Sequence, residues 1–227
     1  MRTATSAVAL LVLFGVTSVP RTAAADTALG RAKWSVELGT ILGQTNDASL
    51  AIRCHSGASS AFRLGIQVFV QNADGNDGTI TQAGSPDVKT TVFNQINSNT
   101  LSIQWMRFAP IRDNVTATFA VGPVVQMGKS AFRQESGVGD PSFTGFENSA
   151  KTTLYGLDLG LGVEWFFNSR VSLGASTALR AMMGKSKYVQ VQRSGTGSTY
   201  AQIESEIEAD ITQISTGTGR IQLTGYF

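Results

Sequence analysis

The most regular feature of this chain is an alternation of apolar and polar side chains with a period of two residues. In the clearest segment five apolar residues share one parity, namely Phe62, Leu64, Ile66, Val68 and Val70. The other parity carries mostly polar or small residues, namely Arg63, Gly65, Gln67, Phe69 and Gln71. Because a period of two places successive side chains on opposite sides of the backbone, it predicts a β-strand with two chemically different faces.

The same alternation recurs along the chain and predicts eight strands. Seven of them are centred on residues 33–43, 49–55, 62–71, 101–105, 115–127, 155–167 and 171–183, and the eighth ends a long final hairpin at residue 227. Short polar turns at 56–59, 112–114 and 168–169 alternate with longer polar loops, one reaching about Lys89 and one running from Lys129 to about Ala150. Pro123 lacks a backbone donor, so we expect an end or irregular pairing of the fifth strand there.

The final strand runs to the end of the sequence and stops on an aromatic residue. Apolar or small residues take every second position back from Phe227, and between them lie Tyr226, Thr224, Gln222 and Arg220. A closed membrane barrel needs its last strand to be hydrogen-bonded on both edges, because lipid offers no partner to an open edge. We interpret this ending as the closing strand of such a barrel.

Alternation alone does not say which face is buried, and a soluble barrel or sandwich is the competing interpretation. The polar faces are rich in Gly, Ser and Ala, which suit a narrow lumen, and short turns alternate with long loops as in outer-membrane barrels. Aromatic residues also gather near the predicted strand ends, as in membrane-interface girdles: Trp34, Phe62, Trp105, Phe108, Trp165, Phe167, Tyr226 and Phe227. We therefore predict an all-β, eight-stranded antiparallel transmembrane β-barrel, an up-and-down meander with short periplasmic turns and longer outer loops.

The first 25 residues predict a cleavable export signal and not a part of the fold. Arg2 precedes an apolar run from Ala7 to Val16, and Ala23-Ala24-Ala25 offers small residues for cleavage, which leaves 26–227 as the barrel domain.

Only 15% of the chain is charged, whereas soluble domains have about 25%. Removing Arg2 and Arg21 from the 18 basic residues leaves 16, equal to the 16 acidic residues. This balance gives no electrostatic footprint for nucleic acid.

The charged residues decide which face of each strand must turn inward. An Arg or Lys that faces lipid at the bilayer midplane costs about 2–4 kcal/mol, so the charged parity is expected to face the lumen. A barrel of about eight strands has an interior only wide enough for side chains, and charges buried there need partners. We predict a cross-lumen ion-pair network that blocks the bore, with a gated conduction path as the alternative. Its seven residues, called here the lumen charge network, are Glu37, Arg53, Arg63, Asp158, Glu164, Arg180 and Arg220.

Two segments and the ending carry a resemblance to a known family. The strand Phe62-Arg63-Leu64-Gly65-Ile66, the segment Gly160 to Phe167 before a turn, and Tyr226-Phe227 resemble the small bacterial outer-membrane β-barrel proteins. This is the porin-like family that includes the OmpX and OmpA membrane domains, and the resemblance is one of pattern over nearly the whole mature chain. It implies a Gram-negative outer-membrane location. It also implies that Tyr226 and Phe227, in the final strand, form a C-terminal signal read by the barrel-assembly machinery.

Candidate chemistry is sparse in this sequence. His55 is the only histidine, and beside Ser56 we expect it to be a rim residue and not a general base. No His, Cys or carboxylate cluster has metal-ligand spacing. We therefore expect no catalytic site, no metal, no cofactor and no enzymatic activity. A narrow channel for small solutes is the first alternative function, and a lipid-modifying outer-membrane enzyme is a weaker one.

The expected partners are those of the cell envelope. We expect a monomer with a structural or surface-interaction role, in contact with outer-membrane lipids and lipopolysaccharide. Residues 202–211 alternate isoleucines with an acidic row, which predicts a ribbon beyond the membrane and favours strand over helix: Glu204, Glu206, Glu208 and Asp210. The row could hold divalent cations shared with lipopolysaccharide, dock a basic partner, or form a solvated edge that deters aggregation.

Overall fold

The computed structural model describes residues 28–41, 46–74, 78–80, 88–136, 142–196, 199–216 and 219–227. The export signal predicted for 1–25 lies outside these residues. The strands are β1 Trp34–Ile41, β2 Asp47–Gly57, β3 Ser60–Asp74, β4 Gly78–Ile80, β5 Val88–Arg112, β6 Val115–Ser136, β7 Ser142–Phe166, β8 Val171–Thr196, β9 Thr199–Thr216 and β10 Arg220–Tyr226. A helical turn at 28–31 precedes β1. No helix within the described ranges is both long and apolar enough to cross a membrane.

Eight of the strands close into a ring by antiparallel pairing. Going around it, β1 is followed by β2, β3, β5, β6, β7, β8 and β10, and β10 pairs with β1 to complete the circle. β4 pairs with β5 and β9 pairs with β8, as extensions of hairpins beyond the ring. The predicted eight-stranded antiparallel meander is therefore confirmed, and its last strand is hydrogen-bonded on both edges.

The ring has its apolar side chains outside and its polar ones inside. Leu64, Leu159 and Leu223 are 48%, 40% and 50% exposed, on three different strands. Glu37 and Arg53 are buried on the opposite parity. This distribution is the inverse of a soluble barrel, which would bury its leucines and expose its charges. The protein is thus built to meet lipid with its outer surface.

The aromatic residues divide between the two faces. Six of those expected in girdles are on the outer surface, namely Trp34, Phe62, Trp105, Trp165, Phe167 and Phe227. Phe108 and Tyr226 are buried inside, so placing these two in a girdle was wrong. The reason is parity: Tyr226 alternates with the outward Phe227, and Phe108 shares the parity of the inward Gln104.

One end of the ring, called here the turn end, carries short connections at 58–59, 113–114 and 167–170. At the opposite end, called the outer end, one of the two long loops expected from the sequence is largely strand. β6 continues to Ser136 and β7 resumes at Ser142, where a loop had been expected from Lys129 to Ala150. The backbone ladder of β6 and β7 persists there because it needs no apolar side chains once the strands leave the lipid. The loop expected to reach about Lys89 agrees with the strand ends, since β3 stops at Asp74 and β5 begins at Val88, with the short β4 between them.

Pro123 lies within β6 and interrupts the ladder on one side only. It pairs in register with Leu157 of β7. Toward β5, the register runs from Ser102↔Val124 directly to Trp105↔Val121, with two pairs missing between them. The expected irregular pairing is confirmed, and it arises because proline has no N–H to donate to the ladder.

A close backbone approach between β7 and β8 suggests a test of packing. A Cβ on Gly156 in β7 would lie 1.9 Å from the carbonyl oxygen of Ala181 in β8. We predict that Gly156→Ala lowers the free energy of unfolding by about 1–3 kcal/mol, because the strands must separate to accept the methyl group. Urea unfolding in lipid vesicles, followed by tryptophan fluorescence, measures this change.

The matched control is Gly128→Ala in β6, where the nearest atom to a Cβ would be the carbonyl oxygen of Asn97 at 3.8 Å. Unchanged stability is expected for this variant. Equal stability of both variants would contradict the close approach at Gly156.

Candidate functional site

The inward parity of six strands brings the whole lumen charge network into the ring. Its members come from β1 (Glu37), β2 (Arg53), β3 (Arg63), β7 (Asp158, Glu164), β8 (Arg180) and β10 (Arg220). The first five of these are buried, and the two arginines of β8 and β10 are partly buried. Residues far apart in sequence therefore share one polar interior.

Arg53 is the centre of the network near the turn end and is completely buried. Its Nε and Nη2 donate to Oε2 of Glu37 at 3.0 and 2.6 Å, and its Nη1 donates to Oε2 of Glu164 at 3.0 Å. The hydroxyls of Ser172 and Tyr226 donate to Oε1 of the same Glu164. One arginine thus joins carboxylates from two strands that are not neighbours, β1 and β7, and both carboxylates have additional donors.

Glu37 continues the network toward the outer end. Its Oε1 accepts from Nη2 of Arg63 at 2.6 Å, so this carboxylate joins two arginines. Nη1 of Arg63 donates to Gln104 at 2.9 Å, and the amide of Gln104 donates to Oδ2 of Asp158 at 3.2 Å. Asp158 also accepts from Nε of Arg180 at 3.3 Å. The bonded path therefore crosses from β1 through β3 and β5 to β7 and β8.

Gln67 connects the last two arginines of the network. Its Oε1 accepts from Nη2 of Arg180 at 3.5 Å and from Nη2 of Arg220. Its amide donates to Oδ2 of Asp47 at 2.6 Å. A single chain of hydrogen bonds therefore runs along the lumen from Glu164 to Asp47.

Sequence reasoning missed five members of this chain of hydrogen bonds. Four are neutral, namely Gln67, Gln104, Ser172 and Tyr226, and the fifth is the acidic Asp47. Glutamine suits these positions because its amide both donates and accepts, and so it can join an arginine to a carboxylate. All five lie on the inward parity of their strands. That parity was the signal by which they could have been found.

The turn end of the lumen is covered by an apolar cluster. Ala28 and Leu29 of the helical turn are buried against Phe108, Phe166 and Tyr226. Within the turn, the backbone N–H of Ala32 donates to the carbonyl of Ala28 at 3.1 Å. The chain segment just before β1 therefore closes this end of the barrel. Sequence reasoning did not foresee this, because so short a helical segment shows no periodicity.

Little space is left between the charged side chains. A cavity of about 40 Å³ lies among residues of the network, including Arg63, Asp158 and Arg220. This is room for a few water molecules at most. The side chains of the network around this cavity therefore lie close together.

His55 lies near the network, at the turn end of the ring. Its Nε2 is 2.9 Å from Oγ of Ser35, and its ring stacks on Phe108 at 5.7 Å between centroids. The neighbouring Ser56 bonds to Ser60 instead, with its Oγ 2.9 Å from the other hydroxyl oxygen. Ser35 is completely buried, so its hydroxyl is not exposed to solvent.

His55 Nδ1 has no hydrogen-bond partner among the residues that the structure describes, so no carboxylate orients the imidazole as in a catalytic triad. Within the same part of the chain, no group of three or more His, Cys, Asp or Glu side chains is placed to hold a metal ion.

Phe227, the last residue of the sequence, is hydrogen-bonded to the start of β1. Its carbonyl accepts from the backbone N–H groups of Lys33 and Trp34 at 3.1 and 3.3 Å, and its own N–H donates to the carbonyl of Trp34 at 2.9 Å. The side chain of Phe227 is 77% exposed on the outer surface, whereas Tyr226 points into the network. The two residues of the expected assembly signal therefore face opposite sides of the barrel wall.

The acidic row lies on β9, which confirms the expected strand at residues 202–211. Two of its members form exposed ion pairs with β8: Lys185 with Glu208 and Lys187 with Glu206, both at 2.6 Å. The hydrogen bond with Glu208 raises the pKa of Lys185, and the hydrogen bond with Lys185 lowers the pKa of Glu208. Half of the row is therefore neutralised by lysines of the adjacent strand.

A closed ring of eight strands with an apolar outer surface and a charged interior defines a membrane-spanning β-barrel. Two solved outer-membrane proteins are similar to it. CarO of Acinetobacter baumannii has 10% identity and a TM-score of 0.46, over 86% of this chain and 98% of its own. A major outer membrane protein from Thermus thermophilus has 15% identity and a TM-score of 0.45, over 87% of this chain and 100% of its own.

No protein-family model and no curated protein sequence matches the chain. The assignment to the barrel class rests on the hydrogen-bonded ring and the exposed apolar surface.

Replacing a central carboxylate tests how strongly the network supports the barrel. We predict that Glu37→Gln lowers the free energy of unfolding by about 3–5 kcal/mol, because it leaves two buried arginines short of a counter-charge. Unfolding in lipid vesicles can be followed with Trp34, Trp105 and Trp165, which all face outward.

The matched control is Glu208→Gln, which breaks an ion pair between exposed side chains. It should leave stability nearly unchanged, because exposed ion pairs contribute little. A similarly small effect of both substitutions would show that the buried network does not stabilise the fold.

Proposed function

We propose that this protein is a monomeric β-barrel of the Gram-negative outer membrane with a closed lumen, no enzymatic activity and a structural or surface-interaction role. The observation that carries the proposal is the bonded chain of charged and amide side chains along the lumen. A transport channel would need a solvated passage in that place. The apolar cover of Ala28 and Leu29 at the turn end supports the same conclusion.

The height of the apolar surface supports insertion in a membrane. On β7 the outward parity is apolar from Tyr155 to Trp165, and it becomes polar at Thr153. About ten residues of a tilted strand span the hydrocarbon core of a bilayer. The membrane would thus cover the half of β7 nearest the turn end, and the other half would project beyond it.

The last strand supports assembly through the machinery that folds outer-membrane barrels. β10 completes the ring, so the barrel cannot close before this strand is placed. Phe227 stays exposed on the outer surface at the turn end, where a receptor could read it. We propose Tyr226 and Phe227 as that signal, with the turn end facing the periplasm.

A surface-interaction role is supported by the sheet beyond the apolar band. The part of this sheet outside the membrane, called here the outer sheet, consists of residues 129–136, 142–153, 185–196 and 199–211. Its last strand, β9, has no strand paired on its other side within the described residues, and an open edge can accept an added strand. Ile203 and Ile207 of β9 are 68% and 60% exposed. We propose the β9 edge as the surface that meets a partner.

The cell fraction in which the protein is found tests its location. We expect it in the outer-membrane fraction, folded and resistant to detergent, so that its gel migration shifts when the sample is boiled. The physical reason is the closed ladder, which detergent at room temperature does not open. Recovery from the soluble periplasm without a heat shift would contradict the proposal.

Electrical recording tests whether the lumen conducts. We expect no single-channel steps in planar bilayers at saturating insertion, because the lumen is filled by its own ion pairs. A general porin inserted in the same way is the positive control, and recovery of heat-shifting protein shows that insertion took place. Stable conductance steps would overturn the closed lumen and favour a narrow channel.

A further inference from the structure

Three lysines of adjacent strands lie directly opposite one another on the outward face. The register pairs Lys129 of β6 with Lys151 of β7, and it pairs Lys151 with Lys187 of β8. All three are exposed. Like charges at directly opposed positions of a sheet repel each other, so this row destabilises the bare sheet unless an anion lies against it.

The positive charge of the row is only partly balanced by the protein. Lys187 is paired with Glu206 at 2.6 Å. Lys129 and Lys151 have no ion pair among the residues that the structure describes. On β6 and β7 their outward neighbours in the next rows are neutral, namely Met127, Thr153, Ala131 and Ser149, and Asn97 of β5 flanks the row. On β8 the next row carries Lys185, which is itself paired with Glu208 at 2.6 Å. Two adjacent ammonium groups therefore face outward without a counter-charge.

The row of lysines lies where the apolar surface ends, on the side of the outer end. On β6 Met127, which is 54% exposed, is the outward residue immediately before Lys129. On β7 Tyr155, which is 57% exposed, lies two outward positions from Lys151. An acyl chain lying along these apolar residues would place its polar headgroup at the height of the lysines. Long lysine side chains can extend along apolar surface and hold their charges in the headgroup region.

We propose that Lys129 and Lys151, flanked by Lys187, bind the phosphate of a phosphorylated outer-leaflet lipid of the lipid A type. Neighbouring strands are about 4.8 Å apart, so two lysines can bind one phosphate from both sides. The acyl chains would lie on the apolar surface that includes Met127 and Tyr155. This inference rests on the proposed outer-membrane location, and it holds whether or not the lumen conducts.

The test measures lipid A retention by native mass spectrometry of the detergent-solubilised full chain, titrated with diphosphorylated lipid A. We expect wild-type protein to retain it and Lys129→Gln/Lys151→Gln to bind about thirtyfold more weakly, since each lysine near an anionic lipid surface contributes about a fivefold gain in affinity. Raised salt should weaken wild-type binding.

The matched control is Lys33→Gln/Arg170→Gln, which removes the same charge from exposed positions at the turn end. It should bind lipid A like the wild type. Equal retention by all three proteins, or an equal loss in both variants, would overturn the site. Inorganic phosphate at matched ionic strength should not displace the lipid, and displacement would show a site for free phosphate instead.

A heat-dependent gel shift in each sample establishes that the barrel is folded. Failure of the lipid site is thereby distinguished from failure of the proposed membrane fold.

Discussion

The structure depends on one constraint: in lipid every backbone N–H and C=O must find its partner within the protein. β10 meets that constraint by pairing with β1 on one edge and β8 on the other. Once the ring is closed, alternation leaves each residue only two environments, lipid or lumen. The exposure of Leu64 and the burial of Arg63 beside it are consequences of that closure.

The lumen charge network takes the place that a hydrophobic core has in a soluble protein. Buried ion pairs are weak evidence for net stability, because desolvating each charge offsets much of the attraction. They are strong determinants of register, since a slip of one residue would turn Arg53 or Glu37 toward lipid. Apolar side chains facing acyl chains have no such selectivity. We therefore infer that the network specifies which strands pair in which register, and that the apolar surface holds the barrel in the bilayer.

The sequence was sufficient where one physical rule acted alone. Parity placed Arg63 and Leu64 on their faces, and the lack of an N–H at Pro123 predicted the interrupted ladder. Sequence reasoning failed where two rules competed, as at Tyr226. The position of Tyr226 at a strand end suggested an aromatic girdle, whereas its parity places the phenol side chain inside the barrel. Sequence reasoning also failed where no periodic signal exists, as for Leu29, which is buried at the turn end by tertiary packing. The outer-end parts of β6 and β7 were mistaken for a loop because their residues do not alternate between apolar and polar side chains.

β8 changes its strand partner before its outward surface changes from apolar to charged. Near the turn end β8 pairs with β10 from Val171 to Ser176, and from Leu179 onward it pairs with β9. The first outward lysine of β8, Lys185, comes after Met183, so the apolar outward parity continues past the point where β8 changes its partner. Closure by β10 therefore covers only the turn-end part of the apolar surface of β8, and β9 pairs with β8 along the rest.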